Sequence, residues 1–146
     1  VSFGPAASRA APEGFPRIAD GDPCPCGSGA RFDGCCAPAL RGSPPSTAEA
    51  LMRSRYTAFV VGDERYLEET WHPGTRPDEL ALDAAQRWTG LEILDVDAGA
   101  EGDTRGVVEF RATWRHGREQ GALHERSGFL RQSGRWWYLD GEIRPS

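Results

Sequence analysis

Four cysteines, and no others in the chain, lie in the run Cys24-Pro25-Cys26-Gly27-Ser28-Gly29-Ala30-Arg31-Phe32-Asp33-Gly34-Cys35-Cys36. Two sulfurs, an eight-residue excursion and two more sulfurs can converge on one ion, and four thiolates at about 2.3 Å satisfy the tetrahedral preference of zinc. The spacing therefore predicts one structural Zn2+ held by Cys24, Cys26, Cys35 and Cys36. Gly27 and Gly29 permit the tight turn that closure requires. Ser28 can cap a single helical turn at Arg31 and Phe32, and Phe32 covers an element too small to have its own core. Three alternatives stand beside this one. A redox pair wants Cys-x-x-Cys at a helix start within a βαβ unit; a vicinal Cys35–Cys36 disulfide is strained; thiols without metal are the third. With sulfur in all four positions no place is open for water or substrate, which is the form of a structural rather than a hydrolytic site.

A second set of residues could line a ligand pocket: Tyr56, Trp71, His72, Arg76, Glu109, His124, Glu125 and Arg126. An imidazole titrates near neutrality, so His72 or His124 could serve as acid or base, with Glu109 or Glu125 tuning it. Each also has a plainer account. His72 precedes Pro73 at a helix end, where it can bond the last carbonyls. His124 and Glu125 are neighbours on a strand and point to opposite faces, so without a bulge they form no pair. Glu125 falls on the face shared by Leu123 and Phe129 and must find a hydrogen bond or an ion pair, for which Arg53, Arg55 or Arg76 is available. The five tryptophans read as core rather than as a base-stacking platform.

The elements that must position these residues follow from pattern. The chain has 146 residues, 38% of them hydrophobic, enough for one domain of about 100 residues with a small appendage, and such an appendage usually needs a metal or a disulfide. Residues 1–20 read as a disordered leader without the features of an export signal, 21–40 as the zinc module, 41–45 as a linker and 46–146 as the main domain. Ser46 with Glu49 suggests a capping box. Ala48, Leu51, Met52, Arg55, Tyr56, Phe59 and Val60 then recur at helical spacing up to Gly62. Asp63 can cap a second helix through Glu69, ended at Trp71-His72-Pro73-Gly74. Thr75 can start a third short helix carrying Leu80 and Leu82.

After Gly90 the period changes to two. Leu91–Val96, the alternating run from Val108 to Trp114, Leu123–Arg131 and Trp136–Leu139 read as four antiparallel strands joined by short turns. The expected fold is α+β, with N-terminal helices on one face of a strongly curved antiparallel sheet of four or more strands.

Net charge is −5, from 17 basic residues, all arginine, against 22 acidic ones. That balance disfavours general affinity for nucleic acid or an anionic membrane surface. No apolar run approaches the roughly 20 residues that span a bilayer. The cytoplasm is the default compartment, and there paired cysteines are more often metal ligands than disulfides.

Cys-Pro-Cys-Gly-Ser-Gly followed by an aromatic residue and Cys-Cys resembles the SEC-C motif, the zinc-binding tail of the bacterial preprotein translocase motor. In that tail the last ligand is commonly His, where this chain has Cys36. The run Thr47 to Phe59, then Tyr66-Leu67, Thr70-Trp71-His72-Pro73, Arg76-Pro77, His124-Glu125-Arg126-Ser127 and Trp136 to Gly141 resemble the YchJ-like family of small bacterial proteins. The resemblance runs from about Asp22 to Glu142. It implies a SEC-C element attached to a cone-shaped α+β domain of the kind shared by nuclear transport factor two, ketosteroid isomerase and scytalone dehydratase. It implies no particular reaction. The expected function is a non-catalytic zinc protein that meets a protein partner through the zinc module, or holds a small-molecule ligand in the cone. An isomerase- or dehydratase-type enzyme is the alternative, and a nucleic-acid-associated protein the third reading.

Overall fold

The computed structural model describes residues 12–145. After a 3-10 turn at Phe32–Gly34 come three helices, α1 (Ala37–Leu40), α2 (Ala48–Val61) and α3 (Glu64–Thr70). Four strands follow, β1 (Gln86–Ala98), β2 (Arg105–His116), β3 (Glu119–Gln132) and β4 (Arg135–Ile143). Of the expected leader, residues 1–11 lie outside the described residues. Within the described part, the Phe15 ring packs against Gly62 and Ile18 packs on the core.

Local chemistry sets the helix ends. α2 starts at Thr47, whose hydroxyl accepts from the Ala50 amide at 3.1 Å, not at Ser46 as the capping-box pattern predicts. The Ser46 carbonyl instead accepts from the Trp136 indole, and Glu49 turns outward to pair with Arg53 at 3.0 Å. Gly62 ends α2 with φ of 76°, a conformation open to glycine at little cost. Asp63 caps α3 as expected, its carboxylate accepting from the Tyr66 amide at 3.0 Å.

The expected third helix over Leu80 and Leu82 does not form. Thr75 and Arg76 donate their amides to the His72 carbonyl, and the Leu82 amide donates to Glu64 Oε2. Pro73, Gly74 and Pro77 leave no uninterrupted helical turn here. β1 begins at Gln86, five residues before the expected Leu91, because Gln86–Trp88 already pair with Trp114–His116. Gly90, after which the sequence changes period, lies inside β1 beside a register shift between Trp88 and Gly90, so it marks a bulge within the strand rather than its start. Ser133 and Gly134, with φ of 56° and 80°, make the tight turn between β3 and β4 that their sequence predicts.

The strands form one antiparallel meander, β1-β2-β3-β4. Its inner face, bearing Val108, Phe110, Ala112, Phe129 and Trp136, is covered by α2 and α3. The strongly curved cone that the sequence led us to expect is corrected here: the sheet is neither closed nor strongly curled, and β1 and β4 do not pair. Other segments stand along the two edges. On β4, Trp71 forms a parallel bridge with Tyr138, and the His72 amide donates to the Tyr138 carbonyl at 2.8 Å. Along β1 the cysteine turn approaches so closely that a Cβ on Gly27 would lie 3.3 Å from the Leu91 carbonyl oxygen. Edges covered in this way have less of the unpaired backbone that closure would satisfy.

The hydrophobic core is one cluster. It runs from Cys24, Cys26, Phe32, Cys36 and Leu40 into Leu51, Tyr56 and Leu67 and on to the inner face of the sheet.

Candidate metal centre and cavity

The cysteine turn is built by its own backbone. Pro23 bridges Arg31, the Cys24 amide donates to the Ala30 carbonyl at 2.9 Å, and the Gly27 amide donates to the Cys24 carbonyl at 3.2 Å. This folds the chain back and turns Cys24 and Cys26 toward Cys35 and Cys36, which lie at the end of the 3-10 turn and the start of α1. The expected capping role of Ser28 is not what forms. Arg31 occupies the cap position without a side-chain bond, while Ser28 Oγ accepts from the Ala30 amide and lies 3.1 Å from Cys35 Sγ.

The four Sγ atoms all lie within 4.8 Å of one another, and those of Cys26 and Cys35 are 3.6 Å apart. Four sulfurs at about 2.3 Å from a central ion stand about 3.8 Å from each other, so the donor set fits a tetrahedral metal. A disulfide needs sulfurs about 2.0 Å apart. Cys24, Cys26 and Cys36 are buried and Cys35 half-buried.

The electrostatics agree with the geometry. Hydrogen bonds from Cys24 and then Cys36 hold the Cys26 thiol well below its ordinary value. Interaction with Cys24 and Cys26, and then burial, pushes Cys36 far up, and burial raises Cys35. Four thiols in this space favour one thiolate and resist more, and a central cation removes that resistance. Arg53 Nη1 donates to the Cys26 carbonyl at 2.9 Å, and Cys24 Sγ lies 3.9 Å from Thr57 Oγ1. The turn is thereby tied to α2.

Between α2 and the inner face of the sheet lies a cavity of about 210 Å³. Of the eight pocket candidates, Tyr56, Trp71 and Glu125 line it; His72, Arg76, Glu109, His124 and Arg126 do not. His72 bonds Gln132 Oε1 at 2.9 Å, and Arg76 donates to the Trp71 carbonyl. The other three meet on the opposite face of the sheet. There His124 Nε2 is 2.6 Å from Glu109 Oε2, and Arg126 Nη1 donates to Glu109 Oε1 at 2.8 Å and to Asp95 at 3.0 Å. His124 and Glu125 do point oppositely, and the carboxylate beside His124 is Glu109. Those bonds to His124 and then Arg126 hold the Glu109 carboxyl below its usual range.

Glu125 pairs with none of the three arginines expected for it. Its Oε2 accepts from Ser127 Oγ at 2.6 Å and from the Tyr138 hydroxyl at 3.0 Å, in space left by the absent side chain of Gly141.

Sequence reasoning missed Arg55 and Tyr138 as cavity residues. Arg55 is 3% exposed, and Nη1 donates to the Leu67 carbonyl at 2.9 Å and to Thr70 Oγ1 at 2.6 Å. Its guanidinium lies 4.4 Å from the Tyr138 ring centroid and 5.0 Å from that of Trp71. Burial lowers its pKa to about 10, still charged at neutral pH. The signal was its place in the apolar stripe of α2, between Met52 and Tyr56.

An all-sulfur cluster with the geometry of a metal site, packed against an α+β domain with an aromatic cavity, defines a helix-and-sheet protein with a candidate metal centre. Residues 47–141 match the family described as YchJ, middle NTF2-like domain. The UPF0225 protein of Streptomyces coelicolor is 54% identical over 122 residues, covering 83% of this chain and 95% of that one. A UPF0225 protein of Chromobacterium violaceum is 49% identical over 125 residues, covering 82% and 92%. Two solved structures are similar. The solution structure of a SEC-C motif containing protein from Rhodopseudomonas palustris has a TM-score of 0.72 at 35% identity, covering 84% of this chain and 98% of that one. The crystal structure of a SEC-C motif containing protein from Psychrobacter arcticus has a TM-score of 0.66 at 26% identity, covering 87% and 85%. The chain belongs to the YchJ family, also designated UPF0225. Among the described residues no helix is long and apolar enough to cross a membrane.

Proposed function

We propose that this chain is a binding protein stapled by one structural zinc ion, with Cys24, Cys26, Cys35 and Cys36 as ligands. Zinc is the metal that best suits four thiolates in a tetrahedral arrangement. Bound there, it would supply folding energy and no open coordination position for chemistry. The ion would fix residues 21–40 as a module against α2 and β1. The exposed tip of the turn, Gly27 to Arg31, is then a rigid surface for a protein partner, and residues 46–146 form the domain whose cavity serves as a small-ligand chamber. One observation carries the preference for binding over turnover. All three histidines lie outside the residues lining the cavity, and the one carboxylate among those residues, Glu125, has Oε2 held by the Ser127 and Tyr138 hydroxyls, which weighs against acid–base work by a His or a carboxylate there. Net acidity and the absence of a recognition helix beside the zinc element weigh against a nucleic-acid role.

Native mass spectrometry is expected to find one zinc per chain. Chelation should then strip backbone hydrogen-exchange protection from residues 21–40 first. A metal-free chain whose residues 21–40 stay protected contradicts this reading.

A further inference from the structure

Three residues that line the cavity, Arg55, Trp71 and Glu125, carry hydrogen-bonding capacity that the described residues use only in part. The Trp71 indole N–H is a buried donor with no partner among the described residues, and a buried polar group left unpaired calls for an explanation. Beside it, the Arg55 guanidinium spends only Nη1 on hydrogen bonds to described residues and has no carboxylate within ion-pair distance among them. Glu125 also lines the cavity, with Oε2 occupied by two hydroxyls, which leaves the acceptor capacity of Oε1 to whatever enters.

These three groups surround one ring. The Arg55 guanidinium lies over Tyr138, Trp71 meets the same ring edge-on at 5.0 Å, and the Tyr138 hydroxyl donates to Glu125. Two donors and a carboxylate acceptor therefore stand within the span of one aromatic side chain. Their formal charges, Arg55 positive and Glu125 negative, cancel, so the chamber has no net attraction for an anion or a cation. The rest of its wall is apolar, including Met52, Phe59, Trp88, Phe110 and Leu123. Its volume of about 210 Å³ corresponds to roughly seven water molecules, the size of a single substituted ring.

We infer that the cavity binds a small, flat, neutral cyclic amide. Its carbonyl oxygen accepts from the Trp71 indole and the Arg55 guanidinium, its adjacent N–H donates to Glu125, and its ring packs against the aromatic wall. This rests on the reading of the cavity as a ligand chamber. It adds the class of ligand.

The test titrates the full chain, followed by NMR, with three probes: 2-pyridone as the neutral lactam, benzoate as an anion and toluene as an apolar ring. 2-Pyridone is expected to shift the Trp71 indole resonance and to bind roughly tenfold more tightly than either of the others. Trp71→Phe, which keeps a ring and removes the N–H, should weaken 2-pyridone roughly tenfold and leave toluene unchanged. Glu125→Gln should weaken 2-pyridone and strengthen benzoate, because it removes the repelling charge. Benzoate or toluene binding as tightly as 2-pyridone in the unaltered chain overturns the lactam assignment and leaves the chamber reading standing. Binding of none of the three overturns both.

Discussion

The cysteine turn and the cavity are both enclosed sets of polar atoms against α2, yet they differ in completeness. The four sulfurs face one another within 4.8 Å, an arrangement that a single cation would satisfy at once. The cavity holds a guanidinium, an indole N–H and a carboxylate that share Tyr138 as neighbour but do not satisfy one another. A complete set belongs to the architecture. An incomplete one has capacity left for a ligand, and that distinction underlies the roles proposed for the two regions.

Breaking the complete set should cost most. Cys36→Ser replaces a buried member of the cysteine cluster next to α1, and because that cluster is continuous with the core the loss should spread beyond the turn. The expected destabilisation is roughly 4 kcal/mol, read as a large fall in the denaturation midpoint. A change of well under 1 kcal/mol would place the cysteines outside the architecture.

The incomplete set should yield less. Arg55→Met removes bonds to the Leu67 carbonyl and Thr70 but also relieves a buried charge with no ion-pair partner among the described residues. The expected cost is about 2 kcal/mol, measured by denaturant titration with an unchanged slope. A cost equal to that of Cys36→Ser would erase the contrast between the regions.

The smallest effect should come from the exposed face of the sheet. Glu109 is held below its ordinary value of 4.5 by His124 and Arg126, so its contribution is present above that value. It is lost as pH falls through the depressed folded value. Glu109→Gln should therefore lower stability slightly at pH 7 and match the unaltered chain in strong acid, as thermal melts across pH would show. A difference that grows toward acid would reverse the sign.

Local signals made the complete set readable in the sequence and hid much of the incomplete one. Cys-x-Cys and Cys-Cys, eight residues apart, contain the geometry of their own site, and Gly62 and Asp63 likewise end one helix and cap the next as their types dictate. Alternation along β3 correctly separated His124 from Glu125. The cavity depends on side chains brought together from α2, from the segment after α3 and from β3 and β4. Arg55 was placed in the buried stripe, but no local rule pairs it with Tyr138. The strongly curved cone failed for a related reason. How far the sheet curls depends on what occupies its edges, and the occupants, Gly27 and Trp71, lie far in the chain from the strands they flank. The helix expected after Thr75 failed because the His72 carbonyl and Glu64 capture its amides, contacts that helical periodicity does not contain.

X-ray absorption at the zinc edge on the purified full chain tests the central claim most directly. The account predicts four sulfur neighbours at about 2.3 Å and no light-atom ligand. A nitrogen or oxygen in the first coordination sphere, or the absence of a zinc edge, would contradict it.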